Sequence, residues 1–201
     1  GYRAGGCLEV DYAIANDHFV YDSRGSGTAN WNAGVVANVN TDYDDSFNDE
    51  IRFVIVETYI STSSNQDEWG ITNDFNTLLS NFTSWAPSNN GFSNTHDLGG
   101  LWSKNSYNTS TIGLAWLSVV CGSYRYHVLR DFSNNANSLR NLVSHEIGHN
   151  FSLPHVGESN KIMSASVSGT SSWASSSISA LNSYYPNRTC LTECQGGSGG
   201  I

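Results

Sequence analysis

Residues 139–163 read LRNLVSHEIGHNFSLPHVGESNKIM, and the spacing inside this stretch decides how the rest of the chain must be arranged. His145 and His149 stand four apart, so on a helix their imidazoles leave one face and reach the same point. Leu139, Leu142, Val143 and Ile147 mark an adjoining apolar stripe, which gives the predicted helix a core side and a polar side. His155 stands six residues after His149. Three imidazoles with a fourth position left open are the ligand set of a catalytic zinc, not of a closed structural site. Glu146, one residue further round than His145, is placed to touch a water on such an ion without ligating it, the position of a general base.

Composition narrows the setting. A chain of 201 residues is long enough to bury a real core as one domain. The net charge is -9, the only lysines are Lys104 and Lys161, and no basic stripe is present, which argues against a nucleic-acid partner. No apolar run is long enough to cross a bilayer, and no signal sequence is visible. The chain opens on Gly1 rather than Met, so signal and pro-segments are expected upstream of it. Cys7, Cys121, Cys190 and Cys194 are read as two disulfides, which implies an oxidising, extracellular compartment. Ser-, Asn- and Thr-rich surface stretches agree with secretion, and the sequons at Asn81, Asn108 and Asn187 are compatible with it. The sequon at Asn150 lies inside the histidine motif and is not expected to carry sugar.

Along the chain, residues 8–15 alternate apolar and polar side chains and predict a first strand, with Asp17 able to cap the next segment. Residues 23–30 read as a loop and 31–39 as a helix. The acidic residues Asp42, Asp44, Asp45, Asp49 and Glu50 read as a solvated loop. A second strand is expected over 51–60 and a helix over 72–85, stopped by Pro87. Further strands are expected over 94–102, 111–120 and 124–130, then the histidine helix from about Asn135, and a final helix over 176–185. Strands alternating with helices place the chain in the α/β (α+β) class. The expected organisation is a single catalytic domain over residues 1–195, divided by the histidine helix into an upper lobe of about 1–151 and a lower lobe of about 152–195. Residues 196–201 read as a Gly-rich tail.

The motif HEIGHNFSLPH, with Met163 eight residues beyond it, resembles the metzincin zinc metallopeptidases, and within them the adamalysin or reprolysin branch. HDLGGLW at 96–102, TIGLAW at 111–116, DYAIANDHFVY at 11–21 and ISALNSYYPNRTCL at 178–191 resemble other parts of that branch, so the likeness covers most of the chain. It implies a mixed five-stranded sheet, an active-site helix, a Met-turn in which Met163 floors the zinc imidazoles, and a C-terminal helix. It also implies pairing of Cys121 with Cys190, leaving Cys7 with Cys194, and a structural calcium on Asp11, Asp97 and Glu193. Gly113, Leu114, Ala115 and Trp116 resemble an edge strand that binds extended substrate by β-augmentation. Ser164 and Ala165 begin the wall beyond the Met-turn that shapes the specificity pocket together with Leu142.

Two positions depart from the branch. Ser152 stands where the branch has a Gly with positive φ, and Val156 stands where an Asp usually comes after the third His. Ala165 occupies the place where astacins and serralysins carry a Tyr, which disfavours those branches. Two of the branch's usual disulfides near the zinc also have no cysteines here. The chain is therefore expected to be an outlying member. Its expected activity is that of a secreted, monomeric zinc endopeptidase, made as a zymogen, acting on proteins or peptides in extended form. The alternative is a catalytically impaired binding or adhesion module of the same fold; retention of Glu146 speaks against it.

Overall fold

The computed structural model describes residues 6–44 and 46–195. The Gly-rich tail expected over residues 196–201, and Asp45 of the acidic run, lie outside the described residues. The chain runs β1 (Cys7–Asn16), α1 (His18–Arg24), α2 (Thr28–Asp42), β2 (Glu50–Ile60), α3 (Phe75–Trp85), β3 (Leu98–Ser103), β4 (Gly113–Ala115), β5 (Tyr126–Arg130), α4 (Ala136–Asn150), α5 (Ser175–Tyr184) and β6 (Thr192–Glu193).

Five strands form one mixed sheet in the order β2-β1-β3-β5-β4, as the resemblance implied. The pairings from β2 through to β5 are parallel, and β4 lies antiparallel on β5 at the outer edge. The two-residue strand β6 was not expected; it pairs antiparallel with Leu8 and Glu9, the part of β1 that β3 does not reach. Strand alternation sorts the core. Val10, Tyr12 and Ile14 of β1 face α2, α4 and the C-terminal region, while Ala13 and Ala15 face α3. The sheet is thus covered on both faces, which suits its parallel centre.

Capping side chains set the helix starts. Asp17 accepts from the Val20 amide at 2.9 Å, Asp74 from Thr77 at 2.7 Å, and Asn135 from Asn137 and Ser138 at 2.9 and 3.1 Å. The segment that Asp17 was expected to cap is helix α1; its extent was not readable, because only Val20 in its seven residues is buried and no periodicity can develop. Helix α2 begins at Thr28, inside the stretch read as a loop. Its first buried positions, Thr28 and Asn32, are polar, and Asn32 exchanges two side-chain hydrogen bonds with Asn16 at 3.0 and 2.6 Å.

The strand predicted over 111–120 shrinks to Gly113–Ala115. The chain leaves the sheet at Trp116 to satisfy the end of α4: the amides of Ser118, Val119 and Val120 donate to the carbonyls of His149 and Asn150 at 3.1, 2.9 and 3.3 Å. Ser118 and Cys121 adopt positive φ, 59° and 70°, to make that turn. Disulfides join Cys7 to Cys194 and Cys121 to Cys190, the pairing the resemblance implied. Among the described residues no helix is long and apolar enough to cross a membrane.

Candidate zinc and peptide site

Helix α4 buries Leu139, Leu142, Val143 and Ile147 in the core, which turns His145, Glu146 and His149 toward the cleft under β4. The helix ends in a Schellman pattern: the Leu153 amide donates to the Gly148 carbonyl and the Ser152 amide to the His149 carbonyl, both at 2.9 Å. Ser152 occupies the left-handed position of that motif with φ 75°, as expected for the place of the missing glycine. Its hydroxyl accepts from Ser118 Oγ at 2.7 Å, tying this turn to the segment beyond β4.

That turn returns His155 to the helix. Nε2 of His155 lies 3.2 Å from Nε2 of His145 and 3.2 Å from Nε2 of His149. Nδ1 of His145 donates to the Ile162 carbonyl and Nδ1 of His149 to the Leu153 carbonyl, each at 2.7 Å. A carbonyl can only accept, so the protons of these two rings sit on Nδ1 and their Nε2 lone pairs face inward. Burial drives the His145 pKa down to about 4, with His149 beside it adding to the shift, and burial lowers that of His149 as well. Lone pairs converging at 3.2 Å repel one another unless a cation lies between them. Nitrogens held about 2.0–2.1 Å from a tetrahedral zinc are roughly 3.3 Å apart, so the three imidazoles fit that ion.

Glu146 is 3% exposed, and burial pushes its carboxyl up to about 8. Its Oε2 is buried without a hydrogen-bond partner. Gly113 of β4 lies directly against the carboxylate: a Cβ there would stand 2.1 Å from Oε1 and 2.6 Å from Cδ. Sequence reasoning placed Gly113 in the edge strand but did not find this contact, which depends on two segments 33 positions apart in the chain. Met163 is fully buried, and a Cβ on Gly148 would meet its Sδ at 2.5 Å, so the Met-turn packs flush against α4. Val156, in place of the branch's Asp, donates its amide to the Met163 carbonyl at 3.0 Å and bridges to Ser164. The carbonyls of Leu153 and Ile162, which orient the imidazoles, carry no side-chain signal that a sequence could offer.

The cleft holds about 790 Å³ and is lined by β4, the three imidazoles, Glu146, Leu142 and the Ser164–Val167 wall. Ser164 and Ala165 thus line the same cleft as the imidazoles. The Arg130 amide donates to the Ile112 carbonyl and the Trp116 amide to the Tyr126 carbonyl, so the even-numbered residues of this edge face β5. Gly113 and Ala115 turn their N–H and C=O groups to the open side. Trp116 departs from the expectation: its ring leaves the cleft and packs on α3, with Nε1 donating to Thr83 Oγ1 at 2.8 Å.

The calcium expectation finds no assembled site. Among the described residues, the groups of three or more ligand atoms within 4.8 Å are His145, His149 and His155, and Asp97, Cys121 and Cys190, whose cysteines are joined in a disulfide. Asp11, Asp97 and Glu193 form no such group. The topology instead turns Asp97 inward, where its Oδ2 accepts from the Asp11 amide at 2.9 Å. Asn150, whose sequon lies inside the histidine motif, is buried. Its Oδ1 accepts from His127 Nδ1 at 2.8 Å, and its Nδ2 donates to the carbonyls of Trp116 and Tyr126 at 2.9 and 3.1 Å.

Comparison with known proteins agrees with this geometry. Residues 8–193 match the family model Reprolysin_5, described as metallo-peptidase family M12. The chain is 36% identical over 106 residues to disintegrin and metalloproteinase domain-containing protein 19 of Mus musculus, covering 52% of this chain and 11% of that protein. It is 25% identical over 122 residues to a zinc metalloproteinase-disintegrin-like protein of Cerberus rynchops, covering 60% of this chain and 19% of that one. The chain thus spans less than a fifth of the length of these relatives. A solved structure titled "Structure of a chaperone-substrate complex" shares the fold with a TM-score of 0.62 at 13% identity, covering 88% of this chain and 34% of that one. The match over residues 8–193, nearly the whole chain, establishes that this chain belongs to the reprolysin-type metallopeptidases of family M12.

Proposed function

We propose that this chain is a secreted zinc-dependent endopeptidase domain that hydrolyses peptide bonds in proteins bound in extended form. The observation that carries the reading is the convergence of three imidazole Nε2 atoms, two of them with tautomers fixed by backbone carbonyls, beside a buried carboxylate. His145, His149 and His155 would hold zinc, which supplies Lewis acidity toward a water and toward the scissile carbonyl. Glu146 takes a proton from the attacking water and delivers it to the leaving amine. The outward N–H and C=O groups of Gly113 and Ala115 hold the substrate backbone as an added strand, while Ser164 and Ala165 wall the pocket for a side chain. Met163 floors the imidazoles.

Retention of Glu146 favours an enzyme over a binding module of the same fold. Two disulfides and the uncharged polar surface favour an extracellular location, and nothing in the charge pattern suits nucleic acid. Calcium has no part in the reading. The test is elemental analysis combined with casein cleavage: one zinc per chain, activity lost on chelation and restored by added zinc. A protein that cleaves equally well after the metal has been stripped refutes it.

A further inference from the structure

Beyond β4 lies a second concavity that the peptidase reading does not use. It holds about 440 Å³ and is lined by Ser80, Thr83 and Ser84 of α3, and by Trp116, Ser123 and Tyr124. The Trp116 and Tyr124 rings meet edge to face, with centroids 5.4 Å apart and planes at 85°. Among the described residues, no charged side chain lines the space. The Thr83 hydroxyl accepts from the indole N–H, so one aromatic wall is fixed while the other is exposed.

Exposed large apolar side chains are few among the described residues, and one of them lines this concavity. Among the described residues the large exposed hydrophobics are Ile71 at 53%, Leu117 at 59%, Tyr124 at 55% and Phe132 at 38%. Leu117 and Phe132 line the cleft and Tyr124 lines the second concavity. An exposed aromatic ring lining a concavity offers apolar surface on which an apolar group can dock.

The geometry of β4 names the occupant. Side chains alternate along the strand: Gly113 faces Glu146, while Leu114 and Trp116 pack on the α3 side. A peptide paired with the open edge of β4 alternates likewise, so every second side chain points toward α3. Antiparallel pairing is the more stable ladder, and it sets the amino-terminal part of the peptide beside Trp116. We propose that the Trp116–Tyr124 shelf is a specificity subsite for an aromatic side chain on the amino-terminal side of the scissile bond. Two rings at right angles receive a third by edge-to-face contact, and the serine hydroxyls at the rim accommodate a phenol. The inference rests on the peptidase reading above.

The test is cleavage of a peptide library varied at each position, by the zinc-loaded parent and by its Tyr124→Ala and Trp116→Leu variants. The readout is the ratio of kcat/KM for aromatic over alanine at each position, taken within each protein so that a general loss of activity cancels. The expected result is a preference of about tenfold at one amino-terminal-side position in the parent, falling below about threefold in both variants. Because Tyr124 is exposed, its variant keeps the test valid if Trp116→Leu fails to fold. A parent that cleaves without this preference, or a preference that survives Tyr124→Ala, overturns the subsite alone. A parent that cleaves no peptide overturns the peptidase reading, and the subsite with it.

Discussion

Gly113→Ala places one methyl group against the proposed base and leaves the metal ligands untouched. The new Cβ would stand 2.1 Å from Glu146 Oε1, whereas ordinary contact begins at 3.4 Å, so the carboxylate must retreat by 3.4 − 2.1, about 1.3 Å. Glu146 is buried and its backbone is fixed by α4, so the displacement falls on the carboxylate itself. Gly113 does not need positive φ, which makes the substitution a steric change and not a conformational one. A misplacement of about 1 Å at a reacting group costs roughly 100-fold, and kcat should fall by that order. KM should change little, because the N–H and C=O of residue 113 remain, and zinc content should stay at one per chain. The assay is steady-state kinetics on a fluorogenic peptide, with elemental analysis of the same sample. Its control is the double variant Gly113→Ala/Glu146→Gln, which should be no slower than Glu146→Gln alone, since the methyl group acts only through the carboxylate. A kcat within threefold of the parent, or losses that simply multiply in the double variant, would refute the reasoning.

Other contacts carry their own expected outcomes. His127 is fully buried between Tyr12 and Asn150, and burial holds its pKa at about 4 against 6.5 when exposed. The unfolded chain therefore binds the extra proton first, and stability present above pH 6.5 is lost as pH falls toward 4, by about 3 kcal/mol. Urea denaturation across that range should show this slope in the parent and a weaker one in His127→Gln. Ser152→Gly relieves a left-handed residue but loses the Ser118 hydrogen bond; a net gain of about 0.5–1 kcal/mol with unchanged zinc content is expected by thermal denaturation. Replacing Cys121 and Cys190 by serine opens a loop of 69 residues, and should cost about 4 kcal/mol by the same measurement.

Much of the site was legible because its signals are local. Histidines four apart on a helix that starts near Asn135, and a third six residues on, all act within one stretch of chain, and the fold brings the three together. The turn at Ser152 was readable through the resemblance, which puts a glycine of positive φ at that place. The hidden features depend on partners distant in sequence. Residues 116–120 read as strand because they are mostly apolar and end in two valines, yet the amides of 118–120 are needed by the carbonyls at the end of α4 that have no partner within the helix, and that demand wins over the sheet. Helix α2 lost its first turn to the reading because Thr28 and Asn32 are buried by hydrogen bonding and not by apolarity. The Gly113–Glu146 contact and the exit of Trp116 toward α3 likewise exist only once β4 lies over α4. The calcium expectation, taken from likeness alone, met no convergence of Asp11, Asp97 and Glu193.

The central claim is that Glu146 is the base and the three histidines hold the metal, and Glu146→Gln separates these roles. The amide matches the carboxylate in shape but cannot take the proton, so the variant should keep one zinc per chain while kcat on a peptide substrate falls by roughly 10²–10⁴. A Glu146→Gln protein that retains zinc and cleaves at the parent's rate would contradict the account.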